Sequence, residues 1–216
     1  MTKTLSKPLA NKPLANKPLA KPMLITRDHP LRGEAEALIR KVYDHEYQAV
    51  ISDIADLIIA ISGPDGHLLA AAGLRIGDGF FSEAYLDRPV EDVLSDFWRP
   101  PAARGEIAEI STLAAVHPYA SHALFSALIG HLRAEGVRFA FCTVTERLFH
   151  MLKRVGVPAQ ELAPAKAERV ANAESWGMYY AANPKVVAIH DAFVSMPATR
   201  PAATVVQAEI KDASVA

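Results

Sequence analysis

Five apolar residues in a row, Leu57-Ile58-Ile59-Ala60-Ile61, are followed by Pro64-Asp65-Gly66 and then by a second apolar run from Leu68 to Leu74. Two short apolar runs joined by a Pro-Asp-Gly turn predict an antiparallel hairpin. Neither run alternates with polar residues, so both faces of that hairpin must be covered. This confines the chain to a sheet with a layer packed on each side.

The flanking segments supply those layers. Leu24-Ile25-Thr26 is a short strand candidate, and residues 34–48 form a helix candidate with Ala35, Leu38, Ile39, Val42 and Ala49 at helical spacing. Pro89 opens a short helix to about Trp98, with Glu91 and Asp92 in the turn where the helix dipole favours acids. Ile107–Ala115 reads as a strand, Ser121–Glu135 as a helix capped by Ser121 and ended by Gly136, and Phe139–Val144 as another strand. Glu146–Val155 is a helix stopped by Gly156 and Pro158. Trp176–Tyr180 and Val186–Ile189 are strand-like, with Asn183-Pro184 between them. The fold expected is α/β (α+β): one mixed, twisted sheet flanked by helices on both faces.

Three segments divide the chain. Residues 1–22 contain a Lys-Pro-Leu-Ala-Asn repeat whose prolines forbid a regular helix, and a disordered tail is expected. Residues 23–193 form the domain, and residues 194–216 form a second flexible tail. The net charge is −1, but residues 1–21 carry five lysines and no acid, which leaves the remainder at −6. An acidic body suits neither a phosphate backbone nor an anionic membrane. No window approaches the ~18 consecutive apolar residues of a membrane span. Cys142 is the one cysteine, so no intrachain disulfide forms, and a reducing, cytoplasmic setting is the expectation.

Three ordered blocks carry a family resemblance. The first is Ala72-Gly73-Leu74-Arg75 with Phe80-Phe81-Ser82-Glu83-Ala84-Tyr85-Leu86-Asp87-Arg88-Pro89. The second is Glu106-Ile107-Ala108-Glu109-Ile110-Ser111-Thr112-Leu113-Ala114, and the third is Trp176-Gly177-Met178-Tyr179-Tyr180. Together they resemble the thermostable hemolysin family over roughly His29 to Ile189. The element order is similar to the acyltransferase fold of acetyltransferases and acyl-homoserine-lactone synthases. Arg75 and Glu109 match an arginine and a glutamate of those synthases. Thr112 stands where they place a second arginine, and only Asp53 and Asp56 match their acidic cluster. The resemblance implies an acyltransferase that takes its acyl group from an acyl-CoA or acyl-carrier-protein thioester, with no tightly bound cofactor.

Acyl transfer to an amine needs a proton acceptor, donors for an oxyanion and a cleft for the thioester. Glu109 shares a strand face with Ile107 and Ser111. It is either a buried base whose pKa burial would raise or a structural partner of Arg75. Arg75 ends an apolar run and requires a carboxylate, from Glu83, Glu109 or a substrate. Glu83 and Tyr85 are expected to project together from an extended segment. Thr143 and Thr145 share one face of a strand beside the thioester, with Cys142 opposite. Trp176 and Tyr179 either wall an acyl pocket or belong to the core. The turn Val116–His122 is the expected carrier-binding turn, through His117, Ala120, Ser121 and His122. It lacks the glycines that let backbone amides meet a pyrophosphate, which turns the expectation from coenzyme A toward a carrier protein.

The eight histidines show no metal-ligand spacing, and there is neither a Gly-x-Ser-x-Gly elbow nor a phosphate loop. The leading reading is an acyltransferase acting on an amine-bearing small molecule, with no nucleic-acid partner. The alternatives are a non-catalytic or lytic protein, or a metabolite-binding module that keeps the fold.

Overall fold

The computed structural model describes residues 22–191, Val155 excepted. The tails expected over residues 1–22 and 194–216 lie outside the described residues, apart from Pro22. Among the described residues, seven strands form one sheet in the order β1-β2-β3-β4-β5-β7-β6. They are β1 (Met23–Ile25), β2 (Leu57–Ser62), β3 (Leu68–Ile76), β4 (Ile107–Ala115), β5 (Phe139–Val144), β6 (Gln160–Pro164) and β7 (Lys185–His190). Only β4 and β5 pair in parallel; the other neighbours are antiparallel. The expected mixed sheet, hairpin included, is therefore the sheet observed.

Four helices cover it: α1 (Arg32–Tyr47), α2 (Val90–Ser95), α3 (Pro118–Ala134) and α4 (Glu146–Arg154). Ala35, Ile39 and Tyr43 of α1 pack on one face, against Ile58, Ala60, Ala71 and Ala114. Leu124, Leu128 and Leu132 of α3 pack on the other, against Ile59, Ile61, Ala70, Ala72 and Leu74. Alternate residues of β2 and β3 thus face opposite layers, which explains why both strands are apolar throughout. Phe149 and Leu152 of α4 cover Val144 and Val187 on the α3 side. Among the described residues no helix is long and apolar enough to cross a membrane.

Three local expectations need correction. Trp176–Tyr180 is not a strand: residues 173–176 and 179–182 are 3-10 turns linked through Gly177, whose φ of 53° breaks an extended run. Helix α3 begins at Pro118, with His117 rather than Ser121 as its N-cap. A strand that was not expected, β6, pairs with β7 at the sheet edge.

Candidate active site

The parallel pairing of β4 and β5 is short. It joins Ile107, Ala108 and Glu109 to Phe139, Ala140 and Phe141, whereas β4 runs on to Ala115 and β5 to Val144. Beyond Glu109 the two strands separate, and the β5-facing edge of β4 has no strand partner. A β-bulge marks the same stretch of β4: its register against β3 shifts between Ala71 and Gly73, and Thr112 takes a left-handed φ of 46°.

Glu109 sits where the separation starts, fully buried. Its Oε1 accepts the backbone N–H of Ser82 at 2.7 Å and its Oε2 accepts that of Phe81 at 2.8 Å. Arg75 adds a third donor, Nη1, 3.4 Å from Oε2. A buried carboxylate needs this density of donors to be tolerated at all. The guanidinium of Arg75 also donates to Ser111 Oγ at 3.2 Å and, through Nη2, to Asp53 at 2.8 Å. Arg75, Glu109 and Ser111 thus share one face of the sheet, and Asp53 closes the cluster from the solvent side. Asp56, by contrast, pairs with Arg27.

Thr143 joins this cluster from β5. Its hydroxyl donates to Ser82 Oγ at 2.8 Å, and its carbonyl accepts from the Tyr179 hydroxyl at 3.3 Å. Ser82 is buried and spends its backbone N–H on Glu109, so its own hydroxyl proton is the one polar hydrogen it has left to give. Thr145 accepts the N–H of Leu148, caps α4 and also bonds the Tyr47 phenol. Cys142 is half-buried on the α3 side, and desolvation pushes its thiol up to about 12, so it is no thiolate nucleophile near neutral pH.

Glu83 does not reach the cleft. The expected extended segment is a 3-10 turn, Ser82–Tyr85, and two-residue spacing in such a turn does not put side chains on one side. Glu83 instead receives both guanidinium nitrogens of Arg104 at 2.8 Å and the N–H of Val90 at the start of α2. The Arg104 hydrogen bond holds its carboxyl below the usual carboxylate range. Tyr85 points the other way, buried, with its hydroxyl 2.7 Å from that of Tyr180. Desolvation first, then that contact, raises its phenol above the ordinary value.

The aromatic residues knit the cleft to α1. Tyr179 is buried against Tyr43 and Tyr47, and Trp176 lies 5.4 Å, ring centre to ring centre, from both Phe81 and Tyr179. Tyr179 is therefore a core residue that touches the site through its hydroxyl, and Trp176 is half-buried beside Phe81.

At the start of α3 the amides are already engaged. His117 Nδ1 accepts the N–H of Tyr119 at 3.3 Å, and the His117 carbonyl accepts those of Ala120 at 3.0 Å and Ser121 at 3.4 Å. His122 is exposed and Ala120 is buried. A pyrophosphate would have to displace the imidazole cap, so this turn fits the group poorly. Among the described residues no cluster of three metal-ligating side chains occurs.

Sequence reasoning missed Ser82 and Arg104. Ser82 lies inside the first resemblance block, but its neighbours Glu83 and Tyr85 carried the more conspicuous chemistry. For Arg104 no local signal existed, because its partner lies 21 residues away.

A family model described as thermostable hemolysin matches residues 25–193. No curated protein sequence matches the chain. Among solved structures, the acyl-homoserine-lactone synthase LasI is 15% identical with a TM-score of 0.56, covering 83% of this chain and 98% of that one. FeeM, an N-acyl amino acid synthase from uncultured soil microbes, is 11% identical with a TM-score of 0.52, covering 80% and 92%. The apo form of TofI is 16% identical with a TM-score of 0.50, covering 80% and 91%. At such identities the likeness establishes a shared fold.

Proposed function

We propose that this chain, which belongs to the thermostable hemolysin family, moves an acyl group from a thioester to the amine of a small molecule. The carrying observation is the parting of β4 and β5 beyond the Glu109–Phe141 pair. The exposed strand edge offers backbone donors and acceptors that must find partners. An extended pantetheine arm, with its two amides, satisfies them as an added strand would. Coenzyme A and acyl-carrier proteins share that arm. The engaged amides of residues 119–121 favour the carrier protein as donor. LasI and FeeM, which share the fold, are named for syntheses that acylate an amine.

In the reaction, the amine nitrogen forms a bond to the thioester carbon, the carbon–sulfur bond breaks, and the thiolate leaves as thiol with the amine's proton. The Ser82 hydroxyl, oriented by Thr143, donates to the carbonyl oxygen as it becomes negative. Glu109 takes the amine proton in transit. A carboxylate has roughly four acceptor positions; Phe81, Ser82 and Arg75 fill three of them, and the fourth is closed off in the free protein, so the amine reaches it by entering between the parted strands. Arg75 acts as the positioning residue that fixes Glu109 and Ser111. Glu83 acts at a distance, holding α2 and the 82–85 turn in place through Arg104.

A screen for thiol release tests the proposal, with acyl-carrier-protein and acyl-CoA thioesters crossed against pools of small amines. Amine-dependent release, faster from the carrier protein, is the expected result. Release that ignores the amine, or none from any donor, contradicts it.

A further inference from the structure

We infer that the acyl acceptor is an α-amino acid, whose carboxylate is held by Arg75 and the hydroxyl of Thr112; this rests on the acyl-transfer reading above. Thr112 Oγ1 is the one buried side-chain polar atom without a hydrogen-bond partner among the described residues, and the residue is only 8% exposed. A buried hydroxyl left unpaired forfeits the hydrogen bonds it made with water in the unfolded chain. Thr112 also has φ 46°, a region that a β-branched side chain occupies only under strain. Both costs fall on one residue, on the stretch of β4 that has left β5. Costs of this kind persist where a site requires them.

The surroundings define what the hydroxyl lacks. Gly73 lies beneath it: a Cβ there would sit 3.0 Å from Thr112 Oγ1, 2.8 Å from Ser111 Oγ and 3.1 Å from the Ala55 methyl. Glycine lets both hydroxyls approach the β3 backbone at a point where any side chain would collide with them. Arg75 is two residues along β3 on the same face, with Nη1 3.2 Å from Ser111 Oγ. A ligand group here must accept from a hydroxyl and carry negative charge for a guanidinium, and a carboxylate does both.

Asp53 is the solvent-side carboxylate on Arg75 in the free protein, on the neighbouring nitrogen. Its carboxylate is 2.8 Å from Nη2, yet its side chain is 69% exposed, so it returns to water at little cost when another carboxylate arrives. The charges select further. Once Asp53 has left, Arg75 and Glu109 offset one another. A phosphate or a plain carboxylate then brings negative charge that nothing compensates. A zwitterion does not, because its ammonium group compensates and Glu109 attracts it toward the thioester; the ammonium gives one proton to solvent before its nitrogen attacks and the second, through Glu109, to the departing thiolate. An α-amino acid carries both groups one carbon apart.

The test is thiol release at saturating donor with a panel of L-amino acids, their carboxamides and their decarboxylated amines, in the full chain and in Thr112→Val. The acids should exceed their amides and amines in kcat/KM by tenfold or more. Thr112→Val should raise KM for the best acid about tenfold, leave KM for the matching amine unmoved, and raise Tm by removing the unpaired hydroxyl. A structural Thr112 would shift acid and amine alike and lower Tm. Equal use of acid and amine overturns this inference and leaves acyl transfer standing. If no acceptor supports release, calorimetry with the amino-acid panel decides the carboxylate site separately. Binding to the full chain that Thr112→Val weakens tenfold upholds the site, and absence of binding refutes it. Asp53→Asn, which frees Arg75, should tighten that binding; weaker binding would show that Asp53 is a ligand contact and not a stand-in.

Discussion

Thr143 and Ser82 meet hydroxyl to hydroxyl at 2.8 Å, although 61 residues separate them in the chain. The contact ties the 82–85 turn to β5 at the level where β5 has left β4. It fixes the direction of the Ser82 proton, since Thr143 donates and Ser82 accepts. Ser82→Ala should lower kcat for acyl transfer by ~10²-fold, the order expected for losing one oxyanion donor, with KM for the thioester little changed. Thr143→Val should cost less, because Ser82 keeps its hydroxyl and loses only its orientation. Steady-state kinetics on both variants check this, and an unchanged kcat in Ser82→Ala would remove Ser82 from the chemistry.

Glu83 gives a pH signature. Arg104 keeps its folded pKa below the ordinary 4.5, so its contribution is fully present above that value and is lost as pH falls through the folded pKa. Glu83→Gln should therefore destabilise the protein by about 1–2 kcal/mol at pH 7. The difference should shrink once the pH drops below about 4.5. Urea titrations of both proteins across that range measure it. A deficit that stays constant into acid would show that the Arg104 pair is not its source.

Gly177 is fixed by packing. A Cβ there would lie 2.2 Å from the carbonyl oxygen of Tyr47 and 2.6 Å from that of Gln48, both backbone atoms, and φ is 53°. The adjacent Met178 N–H donates to the Tyr47 carbonyl at 2.7 Å, and the Val50 N–H to that of Ser175 at 2.6 Å. Gly177→Ala should cost at least about 3 kcal/mol and lower Tm by roughly 6–12 °C. Thermal unfolding monitored by circular dichroism gives the answer. A loss below 1 kcal/mol would mean that the 173–182 segment does not seat on the end of α1.

Sequence periodicity was sufficient for most of the scaffold, and the reasons it failed elsewhere are local. The β2–β3 hairpin, the β4–α3–β5 unit and both helix layers follow from apolar runs and helical spacing, because burial on two faces leaves a plain signature in such segments. Strand β6, Gln-Glu-Leu-Ala-Pro, has no alternation and ends in proline; its pairing with β7 is a tertiary decision. The aromatic block at 176–180 reads as a strand by composition, but Gly177 turns the chain toward α1. In the candidate site, the need of Arg75 for a carboxylate was legible because a charge ending an apolar run must be paired; that Glu109 rather than Glu83 meets it was not. The divergence of Glu83 from Tyr85 was not, since a 3-10 turn and a strand are indistinguishable over four residues. Thr112 was visible only as a departure from a pattern; its unpaired hydroxyl and left-handed backbone belong to the fold.

Glu109 bears the central claim, and single-turnover thiol release from an acyl-carrier-protein thioester, with and without an amine, tests it directly. In Glu109→Gln one of the two backbone donors, Phe81 or Ser82, faces an amide nitrogen, so a stability loss of about 1–3 kcal/mol accompanies the substitution and is measured alongside. The account predicts amine-dependent release by the unaltered chain. It predicts release lower by ~10²–10⁴ in a folded Glu109→Gln protein. Full activity in that variant, or release by the unaltered chain that is indifferent to the amine, would contradict it.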